Sequence, residues 1–89
     1  MNMDAWKPRL PRGVRLREDK IRSRWVLLAP ERIYEIDDVG VEILKRCDGR
    51  QMNDMLTDLA QAFEATPDDI KADVVTFLKD FADKKVLEL

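Results

Sequence analysis

The apolar residues of this chain change their spacing once, at Ile36, and that change decides what each half can fold into. Before it they recur every second residue or run continuously over strand length; after it they recur every three to four. Val14 and Leu16 alternate with Arg15 and Arg17, as a half-buried strand requires. Residues 19–23 form a polar connection. Trp25-Val26-Leu27-Leu28 is a continuous apolar run, which predicts a central strand covered on both faces. Ala29-Pro30-Glu31 reads as a tight turn, because proline presets its φ and cannot donate to a ladder. Arg32, Tyr34 and Ile36 then share one face of a third strand, and Ile33 and Glu35 the other. Three short strands joined locally make an antiparallel meander with the first and third at its edges.

Beyond Ile36 the spacing is helical. Asp37 or Asp38 can cap a first helix whose apolar face is Val39, Ile43 and Cys47, with Leu44 beside them. Asp48-Gly49 ends it, since glycine accepts a left-handed exit. Met52, Met55, Leu56, Leu59 and Phe63 define a second helix. Thr66 is the expected N-cap of a third, with Pro67 in its first turn and Asp68 and Asp69 at the positive dipole end. Its apolar stripe, Ile70, Val74, Phe77, Leu78 and Phe81, is widened by Val75 and Ala82, giving either more core or the wall of a groove. Val86-Leu87-Glu88-Leu89 is a short apolar terminus suited to packing on the sheet. The reading is an α+β fold, a three-stranded antiparallel sheet followed by three helices, winged-helix-like in content. With 89 residues there is room for one domain, placed at 12–89. Residues 1–11 contain Pro8, Pro11, no periodicity and one large apolar group, Trp6, and are expected to be a mobile tail.

The chain has no histidine and one cysteine, which excludes the common zinc sites, histidine triads and imidazole acid–base chemistry. A lone thiol allows no internal disulfide and fits a reducing compartment, so a cytoplasmic location is expected. Cys47 falls on an apolar helix face near the negative dipole end, where a thiolate is disfavoured, and reads as structural. Asp68, Asp69 and Asp73 lack the alternating ligands of a calcium loop. No run approaches the ~18 apolar residues of a membrane span, and no signal peptide opens the chain. An enzyme acting alone, a metal, a cofactor and a membrane are therefore not expected.

Net charge is −2, unevenly spread: +5 over residues 1–24, −2 over 25–50 and −5 over 51–89. Three helices with a small sheet evoke a nucleic-acid-binding winged helix, which is the alternative reading. Against it, the strands precede the helices, and the third helix would bring Asp68, Asp69, Asp73, Asp80 and Asp83 toward phosphates. DNA affinity comes mainly from neutralising phosphates, so that helix has the wrong sign.

The third strand beside the third helix is the remaining candidate. An edge strand offers unpaired N–H and C=O groups to a peptide, unless Arg32 and Glu35 simply blunt it. Backbone pairing alone would not hold a peptide. Ordering each residue costs about 1–2 kcal/mol, whereas a hydrogen bond returns a net 0.5–1.5 kcal/mol, roughly. Two or three buried apolar anchors at about 1.5–3 kcal/mol apiece tip the balance.

Leu27-Leu28-Ala29-Pro30-Glu31-Arg32, then Ile36-Asp37-Asp38, Ile43-Leu44 and Cys47-Asp48-Gly49, resemble the PqqD family, in matching order over residues 8–89. The resemblance implies a stand-alone recognition domain for ribosomally made, modified peptides: a peptide chaperone of pyrroloquinoline quinone biosynthesis, itself not catalytic. It implies that the precursor peptide PqqA binds along the third strand against the third helix. The radical S-adenosylmethionine enzyme PqqE, which cross-links a glutamate and a tyrosine, would then receive it. By position, the strand would be Arg32, Ile33, Tyr34, Glu35 and Ile36. The groove wall would be Ile70, Val74, Val75, Phe77 and Leu78. A monomer that binds no nucleic acid is expected. Pro30, Asp48 and Gly49 look like turn and helix-end devices.

Overall fold

The computed structural model describes residues 3–89. A 3-10 turn at Met3–Ala5 precedes strands β1 (Arg15–Asp19), β2 (Arg24–Leu28) and β3 (Ile33–Ile36), and helices α1 (Asp38–Lys45), α2 (Met52–Ala62) and α3 (Pro67–Asp83) follow. The sheet is antiparallel in the order β1-β2-β3. Its register places Leu16, Leu27 and Tyr34 in one row and Arg17, Val26 and Glu35 in the next. Because strand side chains alternate between faces, the first row and Trp25–Ile36 turn toward the helices. Val26 and Leu27 are both buried, as expected of a covered central strand. Val26 belongs to the face away from the helices, where it lines a hollow with Arg17, Arg24 and the exposed Ile21.

The helix starts follow from local chemistry. The Asp37 carboxylate accepts a 2.7 Å bond from the Gly40 N–H and caps α1. Thr66 and Asp69 make a reciprocal capping box at the head of α3, with Pro67 in its first turn. The first helix stops at Lys45 with Arg46 as its C-cap, short of the expected Asp48-Gly49 end, and Gly49, at φ 90°, instead turns the connection to α2 through the left-handed region. Three members of the expected helical faces differ, the first being Cys47, which lies past the Arg46 cap of α1 although it is buried. Val39 is half exposed while its neighbour Val41 is buried, and Phe63 lies past the end of α2 and is 39% exposed. Both residues border an open cleft between the helices rather than filling the core.

The core gathers Leu27, Ile43, Met52, Met55, Leu59 and Leu78, all fully buried. Trp6, Val86 and Leu87 join it from the two ends of the chain. The expected mobile tail is therefore corrected over residues 3–11; residues 1 and 2 lie outside the described residues. Trp6 is buried, and its carbonyl accepts from the Met52 N–H at 3.1 Å. The Pro8 carbonyl accepts from the Gly49 N–H, and Arg9 exchanges two 2.9 Å backbone bonds with Glu88. An ion pair at 2.7 Å joins the Arg9 and Glu88 side chains. Backbone bonds to irregular partners leave no periodic trace, so the sequence carried only Trp6 as a hint of this strap.

Candidate functional site

The free edge of β3 runs beside α3. The Ala29 N–H donates to the Arg32 carbonyl at 2.9 Å, closing the Pro30–Glu31 turn on the β2 side. Hydrogen-bonded and non-bonded pairs alternate along an antiparallel ladder. With the observed register, Tyr34 and Ile36 therefore exchange bonds with Leu27 and Trp25. Ile33 and Glu35 point their N–H and C=O groups outward, away from the sheet. The edge offers two donors and two acceptors.

Helix α3 runs antiparallel to this strand, and residue contacts mark the alignment. Lys84 and Lys85 share a hollow with Arg32 and Tyr34 at the start of β3. The Phe81 ring meets the Tyr34 ring edge-on at 5.8 Å, and Phe77 packs on Phe81 at 4.5 Å. Phe77 and Ile36 both close on Gly40, where a side-chain carbon would lie 2.9 Å from one and 2.7 Å from the other. Asp73 and Asp37 border the same cleft at the end of β3. Eleven helical steps from Asp73 to Lys84 span about 16 Å, and five strand steps from Arg32 to Asp37 about 17 Å. Helix and strand thus match in length, with Tyr34, Phe77 and Phe81 as an aromatic floor between them.

The residues singled out from the sequence take different places. Tyr34 and Phe77 belong to this floor, Ile33 and Glu35 supply the outward backbone, and Arg32 stands at its entrance. Ile36, Val74 and Leu78 are buried core residues, with Leu78 wholly enclosed, so they support the floor from beneath. Ile70 lines the cleft at the far end. Val75 sits about 160° round α3 from Phe77 and cannot share a wall with it. Phe81 is the residue the sequence reading left out of the wall; it lies four residues from Phe77, the spacing that stacks side chains on one helical face.

Other polar groups serve the fold. Arg46 bonds Asp58 at 2.6 Å and Glu42 at 3.0 Å, and Arg50 reaches Asp48 at 2.9 Å and Asp58 at 3.3 Å, tying α1 and its exit to α2. Hydrogen bonds from the Arg50 side chain hold the Asp48 carboxyl down at about 2. Burial, then the nearby Asp48 charge, pushes the Cys47 thiol up to about 12, so it stays protonated and donates to the Ile43 carbonyl. Among the described residues no three histidine, cysteine, aspartate or glutamate side chains are grouped to hold a metal ion. No helix among them is long and apolar enough to cross a membrane.

The family model for coenzyme PQQ synthesis protein D (PqqD) matches residues 24–87. The PqqA binding protein of Rhodopseudomonas palustris (strain BisB5) is 47% identical over 94% of this chain and 83% of its own length. The bifunctional coenzyme PQQ synthesis protein C/D of Methylorubrum extorquens is 49% identical over 91% of this chain, which spans only 22% of that longer protein. The solution NMR structure of the PqqD truncation of Methylobacterium extorquens PqqCD represents a functional, stand-alone recognition element for ribosomally synthesized and post-translationally modified peptides. It superposes with a TM-score of 0.78 at 44% identity, covering 100% of both chains. With a family model across both the sheet edge and the α3 floor, and relatives this similar over nearly the whole chain, the protein belongs to the PqqD family.

Proposed function

We propose that this protein is the peptide chaperone of pyrroloquinoline quinone biosynthesis. It binds the precursor peptide PqqA as a fourth strand on β3 and presents it to the radical enzyme PqqE. It does so as a cytoplasmic monomer, with no catalytic step, cofactor, nucleic acid or membrane of its own. The observation that carries this reading is the outward backbone of Ile33 and Glu35 beside the Tyr34–Phe81–Phe77 floor. Four outward groups return about 2–6 kcal/mol at the usual net value per bond, less than or comparable to the cost of ordering the paired residues. The aromatic floor supplies the difference by burying one or two peptide side chains. The name and high identity of the Rhodopseudomonas relative support PqqA as the occupant.

Proline substitution tests the mode of binding. At Glu35 proline removes an outward N–H, and at Tyr34 one that bonds β2. Glu35→Pro should stay folded and bind a PqqA peptide at least tenfold more weakly, whereas Tyr34→Pro should damage the sheet. A folded Glu35→Pro variant with wild-type affinity would exclude strand addition at this edge.

A further inference from the structure

We infer that the β3–α3 groove reads the order of charges along its peptide: it takes an extended segment led by an apolar and a basic residue and trailed by an acidic one. The inference rests on the strand-addition reading and adds the chemistry of the occupant. The groove is electrically polarised from end to end. At the start of β3, Arg32, Lys84 and Lys85 surround a hollow of about 260 Å³, with Glu31 the one acid lining it. Lys84 is held by Asp80 at 2.8 Å and lies over the Phe81 ring, while Arg32 and Lys85 make no ion pair among the described residues.

At the other end of β3 the lining is of opposite character. A cleft of about 260 Å³ opens between α1, α2 and α3, floored by Ile43, Leu59 and Val74 and bordered by the exposed Val39 and Phe63. Asp37 and Asp73 are its only charged lining residues. The Asp37 cap uses one carboxylate oxygen on the Gly40 N–H, and both aspartates are exposed residues. This end therefore takes a large apolar side chain with a cationic neighbour over the two carboxylates.

The ends lie about 17 Å apart along the strand. That is twice the Debye length of about 8 Å at physiological salt, so each end meets its own peptide residue and the charges do not average out. Every pairing in the existing sheet is antiparallel, the more stable arrangement per residue. An antiparallel peptide begins beside Ile36 and Asp37 and finishes beside Arg32. Its basic and apolar residues consequently come first and its acid last.

The test uses two labelled ten-residue peptides of one composition, one with the lysine and its apolar neighbour leading and the glutamate trailing, the other with the charges exchanged. Fluorescence anisotropy at low salt should show the lysine-led peptide binding about fivefold tighter, given two exposed pairs. The preference should disappear in an Asp73→Lys, Lys85→Asp double variant, which leaves no net charge among the lining residues of either end; both substitutions are at exposed positions. Equal affinities for the unsubstituted protein, or its tighter binding of the glutamate-led peptide, would overturn the inference. Glu35→Pro separates this failure from a deeper one. If it abolishes binding of both peptides while their order is immaterial, strand addition stands and charge reading falls. If it weakens neither, strand addition falls as well.

Discussion

At Phe81 a single ring serves two elements, standing edge-on to Tyr34 of β3 and stacked against Phe77 of α3. It is half-buried, with the Lys84 ammonium over the ring, so a peptide side chain reaches it where that flexible lysine gives way. Phe81→Ala should weaken precursor binding about tenfold, the loss of one anchor of roughly 1.5 kcal/mol. Val75→Ala, on the opposite flank, should leave affinity within a factor of two in the same titration. Cys47 gives the complementary case. It is buried, protonated and bonded to the Ile43 carbonyl at the end of α1, remote in role from the groove. Cys47→Ala should cost on the order of 1 kcal/mol in denaturant unfolding while precursor affinity is kept. Phe81 was visible in the sequence as part of an apolar stripe, but a stripe does not say which flank meets the sheet. That choice is made by Tyr34 across the groove, a partner more than forty positions away.

Between elements, Gly40 decides how closely α1 approaches β3 and α3. A methyl group there would lie 2.7 Å from Ile36 and 2.9 Å from Phe77, closer than packed carbons tolerate. Alanine raises helix propensity by up to ~1 kcal/mol over glycine, yet overpacking costs about 1–3 kcal/mol. Gly40→Ala should therefore lower the unfolding free energy and, by displacing Phe77, weaken precursor binding. The elements themselves were legible: the change of spacing at Ile36, the Thr66–Pro67 start and the Pro30 turn all lie where local chemistry puts them. The outward parity of β3 was not, because spacing is the same for either choice. One backbone bond, from Ala29 to Arg32, sets it.

The whole molecule closes on itself through its two ends. The Arg9–Glu88 bridge and the Pro8–Gly49 bond draw the N-terminal strap across the α1–α2 connection, and Trp6 fills the core beneath. Trp6→Ala should cost about 3 kcal/mol, measured by thermal or denaturant unfolding. Irregular segments of this kind hide from periodicity, and their partners are distant in sequence. Acid should loosen the other closure, between α1 and α2. Asp48, Asp58 and Glu42 are all held below their ordinary values, first by hydrogen bonds from Arg50, Arg46 and Arg46 respectively. Depressed carboxyls favour the fold above their unfolded range near pH 4 and lose that contribution as pH falls toward about 2. Unfolding midpoints should therefore drop through that window. Addition of a peptide as a strand on β3 can be followed by amide hydrogen exchange with and without the precursor peptide. The Tyr34 and Ile36 amides should be protected in both states, and those of Ile33 and Glu35 only when peptide is bound. Ile33 and Glu35 amides that exchange equally fast in the saturated complex would contradict it.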